Sequence, residues 1–200
     1  MFFDTQNRLL ALRERYVDRS FSPSEFTQII RRQFPVADYS FRTQRDCIVD
    51  PDMVIVAGLY DCYNDAHYLP HTEITLCYHP EQELYFGHLL NWEQLTFDIA
   101  ECIGHEHVHR QQYQKGKKSK QYVSDIDDQT YLGESAEIEA YGFSIAAESI
   151  AFDRNYQDCA MYQIYTKIFD IDHSVVVKLE KQIVKYLKEL ELEYEQSHPI

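Results

Sequence analysis

The sequence predicts an α+β fold: a small, mainly antiparallel sheet packed on a long helix, with a helical C-terminal half. Three observations carry that expectation. "MVIVAGLYDCY", from Met53, is dense in β-branched and aromatic residues, and "TEITLCYH", from Thr72, alternates polar with apolar. Helical periodicity covers both flanks of these stretches. It also runs without a break from Leu95 through Ile99, Cys102 and Ile103 into a histidine-rich segment.

Taken in order, the first helix covers about Thr5 to Tyr16, with Leu9, Leu10, Leu12 and Tyr16 at helical spacing. "SPSEF" starts a second: Ser22 as cap, Pro23 at the first helical position and Glu25 three residues after the cap. That helix should end before Pro35. The two strands follow, joined by "CYNDAHYLPH", whose Asn64, Asp65 and Pro70 supply turn chemistry, and Pro80 closes the second. Asn91, with Gln94 three residues on, caps the long helix, which frays near Lys115 and Gly116. Ser124 to Ser135 reads as a loop. A helix begins at Glu134 or Ser135 and runs through "AEIEAYGFSIAAESIAF". Another contains Met161, Ile164 and Ile168. Ser174 opens the last, with Val176, Leu179, Ile183, Tyr186 and Leu187 on one face.

Composition narrows the function classes. The chain of 200 residues is 44% hydrophobic and 26% charged, with sixteen tyrosines, as expected of a globular protein able to bury a core. A net charge of −14 repels phosphate backbones, so no nucleic-acid partner is expected. The one dense basic run, "KGKKSK" from Lys115 to Lys120, reads as a solvated loop. Cys47, Cys62, Cys77, Cys102 and Cys159 are widely spaced and odd in number, which suggests neither a disulfide framework nor a zinc ribbon. The first residues carry early acid and lack the apolar run of a signal peptide. No stretch approaches the roughly 18 apolar residues of a membrane span. The expectation is a soluble, cytoplasmic protein with no membrane association.

The chemistry concentrates in "CIGHEHVHRQQ", Cys102 to Gln112. On a helix His105 and His109 stand one turn apart on one side, where two imidazoles can reach one ion. Glu106 points about 100° round the helix, poorly placed as a ligand but able to act on a water beside the metal. This is the H-E-x-x-H arrangement. The bland alternative is a histidine-rich solvated turn. His107, about 200° from His105, reads as a solvent or packing histidine.

A catalytic zinc needs a third protein ligand. "ESAEIEAYGFS" offers Glu134, Glu137 and Glu139. Glu139 is preferred: Ala136, Gly142 and Ala146 share its side of the helix, and small residues there would permit close approach to the histidine helix. Glu137 shares a face with Tyr141 and Ser144 and reads as a surface or supporting carboxylate. Glu134 fits an acid-rich first turn complementing the helix dipole. Cys102 lies one turn before His105 and reads as a small buried thiol rather than a fourth ligand.

"HEHVH" followed thirty residues later by "EIEAYGFSIAAE" resembles the gluzincin branch of the zincin metallopeptidases. The similarity is greatest to small single-domain members, including short phage-encoded peptidases and the ImmA/IrrE-type peptidases. It covers about Met53 to Ser149. The resemblance implies a zincin-like single domain over 1–200, with an N-terminal helical segment (1–50), a metal-site core (53–149) and C-terminal helices (155–197). It implies one Zn²⁺ per chain held by His105, His109 and Glu139, with Glu106 as the general base. "TEITLCYH" would correspond to the edge strand along which an extended substrate lies. The chain departs from the pattern at His107 and Val108, and at Phe143, where thermolysin-like members carry an acid.

The implied activity is zinc-dependent hydrolysis of a peptide bond in a protein or peptide substrate. Tyr131, Tyr141 and Tyr156 are candidate donors to the developing oxyanion. The alternative function is a non-catalytic zincin-fold binding or scaffold protein, phage-related, with a structural zinc.

Overall fold

The structure, a computed structural model, describes residues 2–16, 19–35, 39–44, 54–61, 71–79, 84–85, 92–116, 128–169 and 171–197. The fold is α+β and mostly helical, with a small three-stranded sheet. The chain divides into two compact units, residues 3–106 and residues 1–2 with 107–200, and the division falls inside one uninterrupted helix. None of the described helices is long and apolar enough to cross a membrane.

The first unit holds α1 (Phe2–Arg15, from its second residue), β1 (Ser20–Phe21), α2 (Pro23–Arg31), β2 (Tyr39–Gln44), β3 (Val54–Asp61), β4 (His71–Tyr78), β5 (Leu84–Tyr85) and the start of α3 (Trp92–Gln114). The capping box on α2 forms as expected. Ser22 Oγ accepts from the Glu25 amide at 3.4 Å, and the Glu25 carboxylate accepts from the Ser22 amide at 3.0 Å. β3 and β4 pair antiparallel, Gly58 opposite Ile74, as the alternating patterns predict.

The sheet is nevertheless mixed, in the order β2-β4-β3, because β2 joins β4 in parallel. That strand is hard to read in "YSFRTQ", where only Phe41 is buried. Its presence also corrects the expectation for "TEITLCYH": β4 is the central strand, and among the described strands β2 and β3 are the edges. The turn residues 62–70 and the cap Asn91 lie outside the described residues.

β4 sends Thr72, Ile74, Leu76 and Tyr78 into the core in strict alternation. Tyr78 shares a 2.7 Å hydrogen bond with Thr27 of α2, which satisfies both buried hydroxyls. Phe26 meets the rings of Tyr78 and Trp92 edge-on, at 6.3 and 6.1 Å. Trp92, Leu95, Ile99, Cys102 and Ile103 form the buried stripe of α3 in this unit. One correction concerns redox state: Cys77, in β4, is disulfide-bonded, although the cysteine spacing suggested no disulfides.

The second unit comprises the remainder of α3, then α4 (Asp128–Leu132), α5 (Ser135–Ala151), a 3₁₀ turn (Tyr156–Asp158), α6 (Ala160–Gln163), a π-helical stretch (Ile164–Ile168) and α7 (His173–Ser197). α3 ends where its sequence weakens, at Gly116 with φ +75, a left-handed conformation that suits glycine. α4 lies where a loop was expected. α5 starts at Ser135, at the predicted position.

α5 and α7 form the main helix pair. A Cβ on Gly142 would stand 2.5 Å from Cβ of Gln182, so the glycine is what lets these helices meet. Phe143 packs edge-on against Tyr186 at 5.6 Å, and Leu179, Ile183 and Leu190 complete the buried face of α7. The buried Glu148 accepts from the Ala160 amide at 2.9 Å and pairs with Arg154 at 3.4 Å.

Candidate metal centre

α3 presents "HEHVH" on a helix whose earlier turns are fixed by core packing. His105 and Glu106 are 9% and 7% exposed. Such burial does not suit a solvated turn, because a buried carboxylate and imidazole need partners or an ion. His107 is half-buried, and desolvation, with the charge of Arg110 second, lowers its pKa. It is not among the grouped side chains, as its azimuth predicts.

The carboxylate that the structure groups with the two histidines is Glu137, whereas the sequence favoured Glu139. Glu137, three residues into α5, brings Oε1 to 3.5 Å from His109 Nε2, with both side chains almost fully buried. His105, one turn before His109 on α3, completes the group, and the three candidate ligand atoms lie within 4.8 Å of one another. Two ligand atoms bonded to one tetrahedral zinc at 2.0–2.2 Å would stand about 3.3–3.6 Å apart. The His109–Glu137 separation falls in that window. Two imidazoles and one carboxylate also form a donor set that zinc takes in catalytic sites. The residues therefore fit a metal ion, and the buried His105, His109 and Glu137 group could hold one.

Glu139 is placed differently. Its Oε1 accepts from Lys185 Nζ at 3.3 Å and its Oε2 from Gln112 Nε2 at 3.1 Å. The reason lies in the small residues that favoured it. At Gly142 the close approach is to Gln182 of α7, and nearer the start of α5 the same side meets the histidine helix at Gln112 rather than at the histidines. Gln112, three residues after His109, was not singled out in the sequence. It is 3% exposed, its Nε2 also donates to the Ala136 carbonyl at 3.0 Å, and its Oε1 lies 3.0 Å from His109 Nδ1.

Gly58 also escaped sequence reasoning. A Cβ at this position of β3 would lie 2.5 Å from Cys102 Sγ, 2.9 Å from Glu106 Cγ and 3.0 Å from Glu106 Oε1. The strand backbone thus covers the carboxylate of Glu106 closely. Cys102 is a buried free thiol, held protonated first by burial and then by the charges of Glu101, Glu106 and Asp98. Of the tyrosine candidates, Tyr141 packs edge-on against Tyr165 at 5.3 Å, and Tyr156 against Tyr162 at 5.4 Å. Burial raises the pKa of Tyr165, followed by Tyr141, Glu137 and Tyr131. This buried phenol therefore shares the surroundings of the Glu137 carboxylate.

Comparison with known proteins adds no relative: no family model, no curated protein and no solved structure matches the chain significantly.

Proposed function

We propose that the chain is a zinc-dependent peptidase of gluzincin type, acting on a protein or peptide. The observation that carries this reading is the buried group of His105, His109 and Glu137, with Glu106 buried beside it on the same helix. Zinc bound there would supply Lewis acidity toward a carbonyl and a water. Glu106 would take a proton from the attacking water and hand it to the leaving amine. His105, His109 and Glu137 would hold the ion, and β3, an edge among the described strands, would be the strand beside which an extended peptide could lie. The net charge of −14 favours neutral or basic substrates.

The test has two parts. Protein purified without a histidine tag should contain about one zinc per chain. Glu106→Gln should keep the metal and lose cleavage of a mixed peptide pool followed by mass spectrometry. Cleavage at the unaltered rate in that variant would remove Glu106 as the base, and absence of metal uptake would sink the whole reading.

One observation favours a second reading. The carboxylate of Glu106 is crowded by the β3 backbone at Gly58, as it would be if the metal only stabilised the fold of a binding or scaffold protein. In that case Glu106→Gln would leave partner binding and metal content unchanged, and no peptide in the pool would be cut.

A further inference from the structure

Gln112 makes three polar contacts, and together they determine where the protons are. Its Nε2 faces two oxygens, the Ala136 carbonyl at 3.0 Å and Glu139 Oε2 at 3.1 Å. A carbonyl and an ionised carboxylate only accept, so the amide must present its NH₂ to them. The other amide atom is then the oxygen, and it too can only accept. It sits 3.0 Å from His109 Nδ1. A hydrogen bond there requires the proton on Nδ1.

A neutral imidazole with Nδ1–H has its lone pair on Nε2. That is the atom 3.5 Å from Glu137 Oε1. Two acceptors that close repel each other unless a cation, or a proton, lies between them. The inward side of His109 is thus arranged for a positive ion by a residue that does not touch it. Glu139 completes the device. Lys185 Nζ donates to its Oε1 at 3.3 Å, which leaves Oε2 to hold the Gln112 NH₂.

We propose that Gln112 locks His109 in the Nδ1–H tautomer, so that Nε2 is the metal-binding atom, and that Glu139 and Lys185 fix the orientation of the Gln112 amide. Gln112 is a positioning residue in this scheme, and its consequence for affinity rests on the metal reading above. Partners of this kind, which orient a ligating histidine, typically change metal affinity 10- to 100-fold when removed.

The first readout needs no metal. In the metal-free full-length protein, long-range ¹H–¹⁵N correlation shows which ring nitrogen of His109 carries the proton, with the signal assigned by its loss in His109→Asn. The expected result is Nδ1–H. A proton on Nε2 would overturn the proposal. The second readout uses Gln112→Met, similar in length but without hydrogen bonds. Gln112→Met should lose the fixed tautomer and bind zinc 10- to 100-fold more weakly in chelator competition. An unchanged tautomer in Gln112→Met overturns the lock, as does a shifted tautomer with unchanged zinc affinity. A wild-type protein that shows Nδ1–H but takes up no zinc would sink the metal reading while leaving the lock intact.

Discussion

Gly58 and Glu106 touch across the face of the sheet: a single added methyl group on the glycine would come within 3.0 Å of the glutamate's Oε1 and 2.5 Å of Cys102 Sγ. Gly58→Ala therefore overpacks a closed contact. The expected cost is about 1–3 kcal/mol of folding stability, read by urea denaturation. Removing the nearest obstacle with Cys102→Ala in the same chain should recover part of that loss. Simple additivity of the two substitutions would show that they do not share a contact.

Glu137 and Glu139 of α5 differ in their surroundings. Glu137→Gln removes a charged donor from the group that could hold a metal, whereas Glu139→Gln alters only the outer hydrogen bonds. Zinc titration should show Glu137→Gln weakened by much more than Glu139→Gln. The opposite order would restore Glu139 as the ligand.

Gly142 carries no chemistry, yet its substitution has a large expected effect. With Cβ of Gln182 only 2.5 Å from the position of a new Cβ, Gly142→Ala forces α5 and α7 apart. A loss of about 1–3 kcal/mol follows from overpacking. It should appear as a lower thermal midpoint, with helix content by circular dichroism unchanged below the transition.

Alkaline stability has a distinct origin. Burial, with Glu148 second, pushes the Cys159 thiol up to about 12 from an ordinary value of 9.0. In the unfolded chain that thiol gives up its proton near pH 9, while the folded chain retains it. The folded state thus binds more protons in this window, and stability must fall as pH rises from 9 towards 12. The buried phenols Tyr78 and Tyr162 add to this only above their ordinary value of 10.0. Between pH 9 and 10 the slope of stability should be shallower in Cys159→Ala than in the unaltered protein. An equal slope would refute the assignment.

Much of this was readable in the residues because it depends on local spacing. The Ser22–Glu25 cap, the paired strands β3 and β4, and the shared side of His105 and His109 each follow from a fixed period along the chain. The missing parts depend on which surface a face meets. Periodicity placed Ala136, Gly142 and Ala146 on one side of α5, but only the tertiary fold shows Gly142 against α7. The same gap hid that Glu137 is the carboxylate grouped with the histidines. β2 was missed because it buries one residue, and the disulfide at Cys77 because spacing does not encode pairing.

α3 also works as an indexing rod. Leu95, Ile99 and Ile103 seat its early turns in the core of the first unit, and that seating fixes the azimuth at which His105 emerges. One residue inserted between His105 and His109 would turn one imidazole about 100° from the side the other occupies and shift it about 1.5 Å along the axis. Every side chain would still be present, but the two imidazoles would no longer share one side of the helix. The length of this one helical segment is therefore as much a part of the site's specification as the identity of its residues.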